Sequence, residues 1–161
     1  MNIVIAITLI VTYMVVMCVI NRQIPESISQ MASILPRGGA LLWTLVITVT
    51  SVLWFFSFST NPEDTNITIS FIVFLAMLVM AMCPLDKQNS KETRISHTIA
   101  AYVALVMSQV LVAVNKPLLL LLWVIYLVVA GLYFIPKRKK TFKFWAEITC
   151  FVTAFALAFL L

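Results

Sequence analysis

Two ionisable side chains lie within long apolar stretches of this 161-residue chain: His97, its only histidine, and Glu147. An ionisable group in an apolar environment is costly unless it faces polar groups inside the protein, so each residue marks a candidate site. The connecting segments nearby supply Ser27, Ser29 and Asp86. Together the five could form a catalytic set, in which one carboxylate orients the histidine as general base for one of the serine hydroxyls.

Each of these residues also has a structural interpretation. A histidine at the start of a helix is an ordinary polar residue near a membrane surface. Glu147, in the first turn of a helix, is stabilised by the helix dipole and by Lys143 nearby. Ser27 and Ser29 can cap a short helix after the first apolar stretch. The catalytic set is therefore one hypothesis, and a polar cluster without catalysis is the other.

Helical spacing places small residues on the same faces as the two ionisable groups. At intervals of three or four residues, His97 is followed by Ala101, Ala104 and Ser108, and Glu147 by Cys150, Ala154 and Ala158. Small-residue stripes let helix backbones approach closely, so both faces are predicted to point into a bundle. Gln109 lies deep enough in its apolar stretch to need a hydrogen-bond partner.

Metal and cofactor chemistry is not predicted. Cys18, Cys83 and Cys150 would nominally make a Cys₃His zinc set with His97, but none has the close-pair spacing typical of such sites. Buried thiols that act as small hydrophobic groups are the simpler interpretation. We therefore expect no bound metal and no cofactor.

The elements that position these residues are predicted to be membrane-spanning helices. The chain is 63% hydrophobic and 11% charged, whereas a soluble domain has about 45–50% apolar and about 25% charged residues, so a water-soluble globule is excluded. Apolar runs long enough, or nearly so, to cross a bilayer as helices are residues 2–20, 40–58, 67–82, 97–114, 118–134 and 144–161. We predict an all-α protein, a single domain over residues 1–161 that forms a polytopic membrane bundle of six transmembrane helices.

Positive charge is distributed unevenly between the two ends of this bundle. Ten of the eleven Lys and Arg residues fall in the first, third and fifth connecting segments. The positive-inside rule predicts that these segments are cytoplasmic and that both termini are extracytoplasmic. We expect a multi-pass integral membrane protein of a bacterial inner membrane or a plasma membrane.

The fifth connecting segment carries the densest basic cluster, formed by Lys137, Arg138, Lys139, Lys140 and Lys143. Such clusters attract anionic lipid headgroups, and they also serve as topology anchors alone. Short connecting segments leave no room for a nucleic-acid-binding domain. The predicted partners are therefore membrane lipids and no nucleic acid.

Five aromatic residues fall near the ends of predicted spans: Trp43, Trp54, Trp123, Tyr133 and Trp145. Amphipathic aromatic rings favour the headgroup zone of a bilayer. These side chains are therefore predicted to form an interfacial belt.

Three short stretches resemble an uncharacterised group of six-helix bacterial membrane proteins, which are families of unknown function distantly similar to the DRAM/Sfk-type proteins. The stretches are Ile24-Pro25-Glu26-Ser27-Ile28-Ser29, Cys83-Pro84-Leu85-Asp86 and His97-Thr98-Ile99-Ala100-Ala101. The resemblance implies a six-helix bundle with shared polar positions at Ser27, Ser29, Asp86 and His97, and it implies no activity. The ceramidase/PAQR zinc hydrolases use several histidines, and the single histidine here departs from that pattern.

Three functions follow as predictions. The leading one is a non-enzymatic membrane protein that binds a lipid or small ligand at a polar cluster near the cytosolic leaflet. The second is a metal-independent lipid hydrolase, which requires the serine, histidine and carboxylate to converge at about 3 Å. The third is a small proton-coupled transporter, which requires a polar path through Gln109, Ser108 and Thr48.

Overall fold

A computed structural model describes residues 2–34, 38–59, 64–83, 90–134 and 141–161. These residues are helical or form short turns, and none of them is in a β-strand. The all-α prediction is confirmed for this part of the chain.

Six α-helices follow one another with three short helical elements between them. They are α1 (Asn2–Asn21), α2 (Gly39–Ser59), α3 (Asp64–Met82), α4 (Lys91–Asn115), α5 (Leu121–Val129) and α6 (Phe142–Leu160). A 3₁₀ helix, Ile28–Ser33, joins α1 to α2, and we call it the linker helix. A second 3₁₀ helix, Pro117–Leu120, precedes α5, and a π-helical turn, Ala130–Phe134, follows it.

Four of these helices are long and apolar enough to cross a membrane: Asn2–Asn21, Gly39–Phe58, Lys91–Asn115 and Phe142–Leu160. Two apolar helices, Asn66–Met82 and Pro117–Leu132, are shorter. Length and composition therefore indicate a membrane protein with four candidate spans in the described residues. The fifth apolar run is not one regular α-helix, because Pro117 lacks a backbone N–H and opens a 3₁₀ turn instead.

Side-chain bonds to backbone carbonyls fix the antiparallel pairing of α2 with α3. Trp43 Nε1 donates to the Met80 carbonyl oxygen at 3.3 Å, and Thr44 Oγ1 donates to that of Ala81 at 2.6 Å. Both acceptors lie in the last turn of α3, where the helix has no partners of its own for its carbonyls. The start of α2 therefore lies beside the end of α3.

Asn66 and Asn115 connect the start of α3 to the end of α4. Each side-chain amide nitrogen donates to the oxygen of the other residue, at 3.0 and 2.7 Å. Asn66 is 1% exposed, so this pair satisfies polar groups that would otherwise be buried without partners. α3 and α4 are therefore antiparallel as well.

Helix α4 begins six residues before the predicted span 97–114, and this changes the setting of His97. Ser90 is the N-cap, and its Oγ accepts from the Thr93 backbone N–H at 3.3 Å. The cap starts the helix at Lys91, so His97 lies in its second turn rather than at its first residue. The prediction that His97 opens the helix is wrong, and the side chain is 1% exposed.

The linker helix is folded into the bundle and packs against α1, α2 and α6. Ile28, Met31 and Ala32 are buried with 2%, 0% and 3% exposure. We call the end of the bundle that holds the linker helix, Cys83 and the first turn of α6 the linker end. This end holds most of the predicted site residues that the structure describes.

Candidate functional site

His97 is held by the backbone of the residue that follows α3. Its Nδ1 lies 2.6 Å from the Cys83 carbonyl oxygen. A carbonyl only accepts, so the hydrogen-bond network assigns the ring proton to Nδ1 and leaves Nε2 as an acceptor in the neutral imidazole. Nε2 is buried and has no hydrogen-bond partner among the described residues.

Glu147 anchors the linker helix. Its Oε2 accepts a hydrogen bond from the Ile28 backbone N–H at 2.6 Å, the first free N–H of that helix. Ser27 is the N-cap, and its Oγ accepts from the Gln30 N–H at 3.3 Å. Two acceptors therefore satisfy the start of this helix, which explains how such a short element is buried.

A cavity of about 480 Å³ extends from the linker end into the bundle. It is bounded by α2, α3, α4, α6 and the linker helix. Its polar lining at the linker end consists of Ser29, His97, Thr98, Lys143 and Glu147, and its lining further in includes Trp54, Ser108 and Phe155. An α-helix rises about 1.5 Å per residue, so the eleven residues from His97 to Ser108 correspond to a depth of about 17 Å.

The two small-residue stripes face this cavity. The α4 stripe contributes Ala101, Ala104 and Ser108 to the cavity lining, and the α6 stripe contributes Cys150 and Ala154. The stripes were predicted to bring helix backbones together. They do meet deep in the bundle, where Ser108 Oγ lies 3.5 Å from Cys150 Sγ, whereas Ala101, Ala104 and Ala154 leave space that no side chain of the facing helix fills.

Exposed lining residues mark where the cavity opens. Thr98 and Tyr102 on α4 and Lys143 on α6 are exposed, Tyr102 by 64%. Tyr102 is eleven residues into α4, about 17 Å along the helix axis, so the opening lies on the flank of the bundle and not only at its end. We call this opening between α4 and α6 the portal.

A second polar cluster surrounds Gln109 and joins α4, α5 and α6. Gln109 Oε1 accepts from Trp123 Nε1 at 2.8 Å and from Thr153 Oγ1 at 3.0 Å. Its Nε2 lies 3.2 Å from Cys150 Sγ and 3.4 Å from the Cys150 carbonyl oxygen. The prediction that Gln109 needs a partner is confirmed, and both ends of its amide are bonded.

The prediction of an interfacial aromatic belt is wrong for Trp43 and Trp54. They are 1% and 3% exposed, and both line the cavity. Their position near span ends suggested the headgroup zone, but each faces the interior of the bundle. The missed signal is helical spacing, because the two are eleven residues apart, three turns on one face of α2.

The structure brings together only part of the predicted catalytic set. Ser29, His97 and Glu147 line one cavity, whereas Ser27 is a helix cap outside its lining. The bond to the Cys83 carbonyl occupies Nδ1, where a catalytic carboxylate would bind in a triad. Asp86 lies outside the described residues, so its role as an orienter stays a prediction.

The predicted headgroup-binding cluster is described at one position only. Lys143 lies at the portal. Lys137, Arg138, Lys139 and Lys140 lie outside the described residues. Within the part of the chain that the structure describes, no group of three His, Cys, Asp or Glu residues could hold a metal ion.

Comparisons with protein-family models, with curated proteins and with solved structures find no match for this chain. The resemblance to six-helix bacterial membrane proteins therefore stays a prediction. What the site does must be inferred from its geometry.

Proposed function

We propose that this protein binds an amphipathic ligand, with the alkyl part in the cavity and the polar part at the linker end. One observation carries the proposal: the cavity of about 480 Å³ has a buried His97 in its wall, and Nε2 has no partner among the described residues. A buried polar atom without a partner is costly, and a ligand that occupies the cavity can supply one.

The shape and lining of the cavity support this function. Small-molecule sites have volumes of about 300–1,000 Å³, mostly apolar walls and a few polar groups that fix orientation. Here Trp54, Met77 and Phe155 represent the apolar wall, and the polar groups are concentrated at the linker end. The polar end and the apolar depth match the two parts of an amphiphile.

The contacts of His97 and Glu147 favour binding over hydrolysis. The histidine donates to a backbone carbonyl, and the Glu147 oxygen holds the linker helix. A hydrolase with Ser29 as nucleophile would need a serine–histidine contact at about 3 Å, and the described bonds of His97 do not include one. Ligand binding needs no such contact.

We further propose that all six helices span a membrane, with the linker end in the cytoplasmic leaflet. The antiparallel pairs α2–α3 and α3–α4 support alternating spans, and the positive-inside pattern supports this orientation. The portal would then open to the hydrocarbon of that leaflet. The basic cluster before and within the first turn of α6 would lie at its anionic headgroups, with each cation contributing about 1 kcal/mol.

The test is the lipid that copurifies with the protein. Mass spectrometry of protein extracted in polymer-bounded native discs should detect a bound amphiphile in excess of the bulk lipid. Ala104→Phe fills the cavity, because Ala104 is part of its wall, and should reduce that ligand at least several-fold. Val106→Phe is the matched control, since Val106 is 52% exposed on the same helix and outside the lining. An unchanged ligand content in Ala104→Phe would refute binding in the cavity.

A further inference from the structure

Two of the polar side chains at the linker end of the cavity, His97 and Glu147, can offer hydrogen-bond acceptors. His97 Nε2 accepts in the tautomer that the Cys83 carbonyl imposes, and it is buried without a described partner. When ionised, Glu147 also offers only acceptors, and one of its oxygens is occupied by the Ile28 N–H. A head group that bonds to these two acceptors must therefore bring hydrogen-bond donors of its own.

The cavity wall has one cationic side chain and one carboxyl group. Lys143 and Glu147 are four residues apart on α6, so they occupy one face of the helix, and Glu147 offsets the charge of Lys143 when it is ionised. A cationic or anionic head would lose its hydration on entering and, with Glu147 ionised, would meet a wall with little net charge. An uncharged head that carries hydroxyl groups avoids this cost.

The volume indicates how much hydrocarbon can enter. An apolar cavity of about 150 Å³ holds one benzene molecule. A cavity of about 480 Å³ therefore has room for about three such groups, or roughly eighteen carbon atoms. This is enough for one alkyl chain of ordinary membrane length and not enough for two.

We propose that the ligand is a single-chain amphiphile with a small, uncharged, hydroxyl-bearing head, of which a monoacylglycerol is the simplest case. Its chain occupies the space between α4 and α6 down to Trp54 and Phe155, and a head-group hydroxyl donates to His97 Nε2. The inference rests on the proposed binding function and assigns its ligand class.

Protection of Cys150 from chemical modification tests the proposal, because this thiol lines the cavity below the head-group end. The full chain carries Cys18→Ala and Cys83→Ala, so that Cys150 is its remaining cysteine. It is placed in phosphatidylcholine nanodiscs made without alkyl glycoside detergents, whose hydroxyl-rich heads would compete for the site. The probes are a monoacylglycerol, a fatty acid and a fatty acid methyl ester, all with the same chain. The rate of modification by a membrane-permeant alkyl methanethiosulfonate is measured against the mole fraction of each probe.

The monoacylglycerol should protect Cys150 at a mole fraction roughly ten times lower than the methyl ester, since the ester cannot donate to a buried acceptor. It should also be effective at a lower mole fraction than the fatty acid. His97→Phe should largely remove this ratio, because the mole fraction at which the monoacylglycerol protects Cys150 should become close to that of the methyl ester. A histidine with only a structural role would not alter that ratio.

Failure of the head-group assignment and failure of the proposed binding function give different results. Equal or better protection by the fatty acid or the methyl ester would overturn the head-group assignment and leave binding in the cavity standing. If none of the three probes protects Cys150, this inference is overturned, and an unchanged copurified ligand in Ala104→Phe would then refute the binding function itself. If His97→Phe does not fold, the ratio between probes in the protein with wild-type His97 decides the question alone.

Discussion

Two buried polar clusters of this bundle differ in how completely their hydrogen bonds are satisfied. Around Gln109, both amide atoms are bonded to partners from α5 and α6. At the linker end, His97 is more deeply buried than the half-buried Gln109, but only one of its nitrogens has a partner among the described residues. An unpaired buried polar atom costs about 1–3 kcal/mol. The difference separates a cluster that serves the fold from one that supports the proposed ligand site.

The largest expected effect is on stability, at the satisfied cluster. Gln109→Leu should lower the free energy of unfolding by about 2–3 kcal/mol, because Trp123 Nε1 and the Thr153 hydroxyl lose their acceptor in an apolar region. Equilibrium unfolding in mixed micelles with sodium dodecyl sulfate measures this loss. Val110→Leu, at an exposed neighbour on α4, is the control and should change little. A loss under about 0.5 kcal/mol, which is typical of surface substitutions, would show that this cluster does not stabilise the fold.

A smaller and local effect is expected at Glu147. Glu147→Leu removes the acceptor for the Ile28 N–H and should destabilise docking of the linker helix by about 1–2 kcal/mol. Hydrogen exchange of the amides from Ile28 to Ser33 should accelerate, while exchange in α2 stays unchanged. Glu147→Gln retains a side-chain oxygen and should keep most of the protection. Equal exchange in the wild type and both variants would show that this contact does not hold the linker helix.

His97→Phe should affect stability less than Gln109→Leu does. It removes one hydrogen bond to the Cys83 carbonyl, at about 1 kcal/mol, and it also removes the unpaired Nε2. The amount of amphiphile that copurifies with this variant should nevertheless fall several-fold. Equilibrium unfolding and mass spectrometry on the same preparation would measure the change in stability and the change in bound ligand. The contrast between the clusters fails if His97→Phe is the more destabilising variant and retains its ligand.

Cysteine labelling from the two sides of the membrane measures no energy, but it shows which leaflet holds each of the two clusters. In a chain without its native cysteines, Asp64→Cys should react with a membrane-impermeant maleimide from outside, and Lys139→Cys should react only after permeabilisation. The opposite pattern would place the linker end and His97 in the outer leaflet.

Much of the helical architecture was predictable from composition and periodicity. For α2, α3 and α6 the predicted spans end within three residues of the observed helices, because apolar runs and their polar boundaries determine where a helix can be buried. The need of Gln109 for a partner also follows from burial alone. Its actual partners, Trp123 and Thr153, come from two other helices, and their pairing depends on how the helices are rotated.

The environment of the candidate site was less predictable for the same reason. A stripe of small residues indicates that a helix face is not directed at bulky neighbours, but it does not distinguish close packing from an open cavity. Likewise, Trp43 and Trp54 have the same residue type and span position as belt residues. Their burial is decided by the faces of α2 that meet α1, α3 and α6, and these tertiary contacts are not encoded in local spacing.

The portal has a consequence for exchange. A site that opens on the flank of a bundle takes its ligand from the surrounding leaflet without passing it through water. In the proposed setting, occupancy would follow the proportion of the amphiphile among its neighbouring lipids, so even weak contacts at His97 could keep the cavity filled when that proportion rises. The relevant affinity would then be a partition between two apolar phases, and the protein would report the composition of one side of the membrane.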